Sequence, residues 1–188
     1  MSDRPIFLSK VALPMSWEAL EHAPSVEDCD SASVTNAGVI GFLLHEVDLD
    51  AAHRPADESL AEALLPLRIK LDILIEMVGR LTYRGVALPP VRDIELGMGR
   101  MAWHSPTPLR TGEWLRIKLY FDVKFLEPVV LYGRVASAIK DEATGGCGVQ
   151  AELVETPLET EEAFARLAFL AQRRQLAQHA AQSARAAR

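Results

Sequence analysis

The stretch that decides the fold is Ser59-Leu60-Ala61-Glu62-Ala63-Leu64-Leu65-Pro66-Leu67-Arg68-Ile69-Lys70-Leu71-Asp72-Ile73-Leu74-Ile75-Glu76-Met77-Val78-Gly79-Arg80-Leu81. Its apolar residues Leu60, Leu64, Leu67, Leu71, Leu74, Val78 and Leu81 follow one another at spacings of 4, 3, 4, 3, 4 and 3. This is an a/d seam unbroken over three heptads. A helix buried in its own domain rarely needs so regular a seam, whereas a helix that must find copies of itself does. A second apolar row, Leu65, Ile69, Ile73 and Met77, occupies another face at four-residue spacing. One seam suffices for a two-stranded coil. Two rows imply contact with more neighbours: more than two copies, or one copy plus the rest of the domain. Ser59-Leu60-Ala61-Glu62 fits a capping box. Pro66 leaves two starts open, a helix from Ser59 that bends at the proline, or one that begins at Pro66, where proline is a welcome first residue.

Downstream the period changes from helical to strand-like. Val91 to Gly97 and Arg100 to Trp103 read as strands, followed by Trp114 to Phe121, which alternates strictly through Leu115, Ile117 and Leu119. Phe125 to Ile139 and Gly148 to Val154 complete the set, with Pro106, Pro108, Gly112 and Gly145-Gly146 at the turns. Short strands with this punctuation predict a small antiparallel barrel. Upstream, Phe7 to Trp17 alternates through Val11, Leu13 and Met15 and predicts a first strand broken near Pro14. Glu21 to Gly38 is acidic, Ser/Ala-rich and unpatterned, so it reads as a loop. Val39 to Leu44 is an apolar run that fits either a helix start or a buried strand, and Ala51 to Asp57 reads as a linker. Thr156-Pro157-Leu158-Glu159 is a second capping box and opens a helix with Phe164, Leu167, Ala168, Leu170 and Ala171. After Leu176 the chain is Ala/Gln/Arg-rich with almost no large apolar side chain, which predicts fraying.

The expected architecture is therefore α+β in one 188-residue domain: a first strand region at 1–20, an acidic loop with short elements at 21–58, an inserted oligomerisation helix at 59–81, barrel strands at 82–155, and a C-terminal helix and tail at 156–188. A formal charge of −6 argues against general nucleic-acid binding, which wants a basic face. No apolar run is long enough for a membrane span. The short patch Ile6-Phe7-Leu8 lacks the length of a signal peptide, and Cys29 and Cys147 show no framework spacing. These features predict a cytoplasmic protein with reduced thiols. His45 to His53 carries ligand residue types without the spacing that puts them on one helical face, so no metal is expected. No nucleophile elbow, phosphate loop or acid/base pair stands out, and no enzyme is expected.

Val91-Arg92-Asp93-Ile94-Glu95-Leu96-Gly97-Met98-Gly99-Arg100-Met101-Ala102-Trp103 resembles the second and third strands of PilZ domains, which carry Asp/Asn-x-Ser-x-x-Gly at this turn. Pro108 to Glu113, Tyr132-Gly133-Arg134-Val135 and Gly146 to Ala151 continue the likeness in the family's order. The resemblance spans about Arg92 to Glu161. It implies a PilZ-like barrel and a ligand, cyclic di-GMP, held by an Arg-x-x-x-Arg pair ahead of the first strand. A guanidinium suits that task because it forks onto phosphate oxygens and lies flat on a base. Here that region offers Arg4 and Lys10; Arg92, Asp93 and Arg100 are the other candidate ligand residues. Asp93 matches the turn motif, Glu95 stands in place of serine, and Met98 in place of the last glycine. Arg80 and Arg84 have the arginine spacing but lie at the end of the heptad helix. The insertion between the first two strands is similar to an atypical PilZ group that forms tetramers. The resemblance then implies a non-enzymatic scaffold of the cyclic di-GMP network. It would self-assemble, most simply as a tetramer, and bind an unidentified protein partner, with no resident cofactor and a degenerate nucleotide site. The alternative is a direct cyclic di-GMP receptor.

Overall fold

The structure is a computed structural model that describes residues 7–51, 58–82, 87–122, 125–141, 145–154 and 157–186. Six strands, β1 (Phe7–Leu20), β2 (Val91–Gly97), β3 (Arg100–Ser105), β4 (Trp114–Leu119), β5 (Val129–Lys140) and β6 (Cys147–Leu153), close a barrel in the order β1-β2-β3-β6-β5-β4, every pair antiparallel. Two helices, α1 (Val26–Ala51) and α2 (Glu58–Thr82), lie between β1 and β2, and α3 (Leu158–Ala186) follows β6.

Period-2 alternation sets the barrel core. Val11, Leu13 and Met15 of β1, Ile94 and Leu96 of β2, Met101 and Trp103 of β3, and Leu115, Ile117 and Leu119 of β4 all point inward. The hairpin between β2 and β3 turns through Met98 and Gly99, where Gly99 takes the positive φ that a side chain would strain. On β5, Gly133 lets β6 approach closely; a Cβ there would sit 2.9 Å from the Glu152 carbonyl oxygen.

Pro14 does not break the first strand. β1 pairs with β2 from Phe7 to Pro14 and with β4 from Met15 to Leu20, so Pro14 sits where the strand changes partner. That position leaves the N-terminal half of β1 with a free edge toward β4. The free edge is met by α3: Gln175 Nε2 donates to the Ala12 carbonyl (2.5 Å), and Ala12 N–H donates to Gln175 Oε1 (3.0 Å). Leu167 and Ala168 of α3 and Val39, Ile40 and Leu43 of α1 complete the core.

The loop expected from Glu21 to Gly38 is instead helix from Val26 onward, and the open choice at Val39 to Leu44 resolves as the same helix, α1. Ser25 caps it. Its Oγ accepts from Asp28 N–H (3.1 Å), and its own N–H donates to Asp28 Oδ2 (3.0 Å), a capping box with aspartate in the acidic place. Ser25 Oγ–H also donates to Asp28 Oδ2 (2.6 Å), and this bond first, then the one from the Ser25 N–H, holds the Asp28 carboxyl below its usual pKa. The inward stripe of α1 runs Cys29, Ala32, Ser33, Asn36, Val39, Ile40 and Leu43. Its first half is small or polar, so the helical period shows no apolar signal there. Asn36, buried at 1% exposure, joins α1 to β5: its Nδ2 donates to the Val130 carbonyl (2.7 Å), and Val130 N–H donates to its Oδ1 (2.8 Å). Val130 precedes the part of β5 that pairs with β6, and Asn36 replaces the missing strand partner.

Three smaller expectations also change. β5 begins at Val129, after Pro128, and not at Phe125. α3 continues as helix to Ala186, through the stretch expected to fray, as its alanine and glutamine content permits. α2 runs from Glu58 with Pro66 inside it, which settles the open start in favour of the longer helix. Thr156, Arg4, Arg84 and most of the expected 51–57 linker lie outside the described residues.

Candidate functional site

Among the described residues, α2 packs substantially against none of the other elements. With 25 residues it is about 37 Å long. Leu64, Leu67, Leu71, Leu74, Val78 and Leu81 of the seam, and Leu65, Ile69, Ile73 and Met77 of the second row, are between 49% and 66% exposed. Leu60 lies in the first turn of the same helix. Ten large apolar side chains on one unsupported helix far exceed the scattered apolar exposure normal for a surface.

The four candidate ligand residues that are described do not converge. Arg4 is outside the described residues. Lys10 projects from the outer face of β1 and faces Glu95 across the β1–β2 pair, with Nζ 3.6 Å from Oε1. Asp93 is exposed on the same outer face, beside Ala12. Arg100 stands at the far end of β3 against Glu152, at 3.5 Å. Arg92 points the other way, as the inward parity of Ile94 and Leu96 requires. At that mouth of the barrel its Cζ lies 4.9 Å from the centroid of the Trp17 ring, and Trp17 packs on Trp103 with centroids 5.6 Å apart. Sequence reasoning missed both tryptophans. Strand parity could have placed all three on the inner face, since Trp17 follows Met15 and Trp103 follows Met101 on their inward rows; that they meet depends on the strand pairing.

A cleft of about 510 Å³ opens between the first half of α1 and the outer face of β4 and β5. Arg116, Lys118, Tyr120 and Tyr132 form its floor, with Asp28 and Glu127 at its walls. Arg116 is ion-paired with Glu18 across the β1–β4 pair, and that bond raises its pKa. Burial raises that of Tyr120, with Glu127 adding to it. The cleft mixes both signs of charge and favours no ion. Among the described residues no group of three or more His, Cys, Asp or Glu side chains is placed to hold a metal, and no helix is long and apolar enough to cross a membrane.

Among solved structures, the chain is similar to a pathogenic protein from Xanthomonas campestris, described as a new tetrameric PilZ domain self-assembled via an unusual helical bundle. The match has a TM-score of 0.71 at 18% identity and covers 94% of this chain and 93% of that one. The fold is that of a PilZ domain. The likeness takes in the two inserted helices as well as the barrel, because it spans nearly the whole of both chains. No family model and no curated protein matches the chain. Of the motif stretch Asp93 to Met98, the residues Asp93 to Gly97 belong to strand β2, and only Met98 lies in the turn to β3.

Proposed function

We propose that this chain is a self-assembling regulatory scaffold of PilZ type, not an enzyme. α2 joins copies of the chain, and the barrels, carried outward, bind a protein partner. The observation that carries the reading is α2 itself: two apolar rows, a regular heptad seam, and no barrel surface covering either. Two rows give each helix more than one neighbour, which favours four copies over two, and the similar Xanthomonas protein is described as tetrameric. The PilZ fold supports a place in cyclic di-GMP signalling in the cytoplasm. The nucleotide site is read as degenerate, because Lys10 is engaged by Glu95, Arg100 by Glu152, and Arg92 is turned away from Asp93.

The test is the double substitution Leu71→Glu and Leu74→Glu, which puts two carboxylates into the seam. Light scattering should show particles reduced to single chains, with the strand signal in circular dichroism retained. An unchanged particle mass would remove α2 as the joining element.

A further inference from the structure

The mouth of the barrel holds two buried donors that meet no acceptor. Arg92 Nε and the indole Nε1 of Trp103 are both shut off from solvent, and neither has a hydrogen-bond partner in the fold. Trp103 as a whole is 4% exposed. Among the described residues the Arg92 guanidinium makes no ion pair and no hydrogen bond; its one polar contact is the stacking on Trp17. The other cations on the sheet differ. Lys10, Arg100 and Arg116 each face a carboxylate.

Buried donors are nearly always paired, and an unpaired one costs the desolvation of its N–H. Stacking on an indole offsets part of that cost but uses the face of the guanidinium, leaving its in-plane N–H groups unused. Those N–H groups form a fork that matches two oxygens of one anion. The indole N–H of Trp103 adds a neutral donor, and the buried cross-strand neighbours, Leu13 opposite Arg92 and Ile94 opposite Trp103, lower the local dielectric and strengthen any bond made there.

We propose that Arg92, Trp17 and Trp103 form an oxyanion-binding site at the barrel mouth, distinct from the outer-face Asp93 and Glu95 of β2 and from the Met98–Gly99 turn. Arg92 supplies the charge and the fork, Trp103 the third donor, and Trp17 holds the guanidinium plane in place. The chemistry fits a phosphate or a carboxylate. It does not rest on the assembly role of α2.

Two of the chain's three tryptophans belong to the site, so intrinsic fluorescence reads it directly. The intact protein is titrated with inorganic phosphate and, separately, with acetate, at ionic strength held constant with chloride. A saturable change with phosphate alone identifies a phosphate site; one with acetate alone or with both identifies a carboxylate-accepting site. Arg92→Lys keeps the charge and removes the fork. Trp103→Phe keeps the ring and removes the N–H. Each should weaken binding by roughly tenfold or more, with particle mass unchanged by light scattering. No saturable change with either anion would show that these donors stay unpaired in the fold and would overturn the proposal. So would affinities in Arg92→Lys and Trp103→Phe equal to that of the parent chain.

Discussion

Replacing Asn36 by alanine tests how α1 is fixed to the barrel, and with it the position from which α2 departs. Asn36 is buried and makes two hydrogen bonds to one residue, accepting from the Val130 N–H at 2.8 Å and donating to its carbonyl at 2.7 Å. Alanine removes both and leaves the two backbone groups of Val130 without a strand partner, since the β5–β6 pairing begins at Gly133. Each orphaned group costs about 1–3 kcal/mol when water cannot reach it. Val130 is only partly buried, so the lower half of that range applies, and the sum is about 2–4 kcal/mol. That is a large share of the 5–15 kcal/mol typical of a folded domain. Urea denaturation followed by tryptophan fluorescence reads the loss, at matched protein concentration because assembly itself adds apparent stability. Thr35→Ala is the control. Thr35 is the exposed neighbour on the same helix and bonds only to Ser31 within it, so its loss should stay within about 0.5 kcal/mol. A cost for Asn36→Ala as small as that of Thr35→Ala would refute the argument that this side chain stands in for a strand.

Two further outcomes follow from the same structure. Replacing Glu58–Thr82 by a Gly/Ser linker should retain the strand signal in circular dichroism, because the barrel core draws no residue from α2; loss of all folded signal would show that the helix is needed for the barrel to form. Cyclic di-GMP should bind weakly in the usual PilZ mode, since Glu95 places a negative charge beside Lys10 and Met98 adds bulk at the turn. Losing one charge-assisted contact costs about 1.5–3 kcal/mol, enough to move a micromolar ligand toward millimolar; a calorimetric dissociation constant near or below about 10 μM would contradict this.

The barrel was legible in the sequence because its signal is local. Trp114 to Leu119 alternates without exception, and each turn carries its own glycine or proline. The heptad helix was legible for the same reason. α1 was not, because burial there falls on Cys29, Ala32, Ser33 and Asn36, residues that carry no apolar period, while Val26 and Val34 face solvent. What fixes that stripe is a long-range bond from Asn36 to Val130, 94 residues away, and no window of sequence contains both. The capping bond between Ser25 and Asp28 was the one local sign. Pro14 misled for a related reason: a proline usually ends a ladder, and here it marks the change of partner within one strand. Of the candidate ligand residues, the direction of Arg92 follows from parity with Ile94 and Leu96. Its meeting with Trp17 does not, since it depends on β1 crossing from β2 to β4.

The mass of the particle in solution tests the central claim most directly. Light scattering on the unmodified chain at micromolar concentration should give a value near four times the 20.7 kDa of one chain. Burying the exposed halves of the ten apolar side chains on α2 is worth roughly 10 kcal/mol per chain before the costs of association. A particle of 20.7 kDa at that concentration would contradict the account.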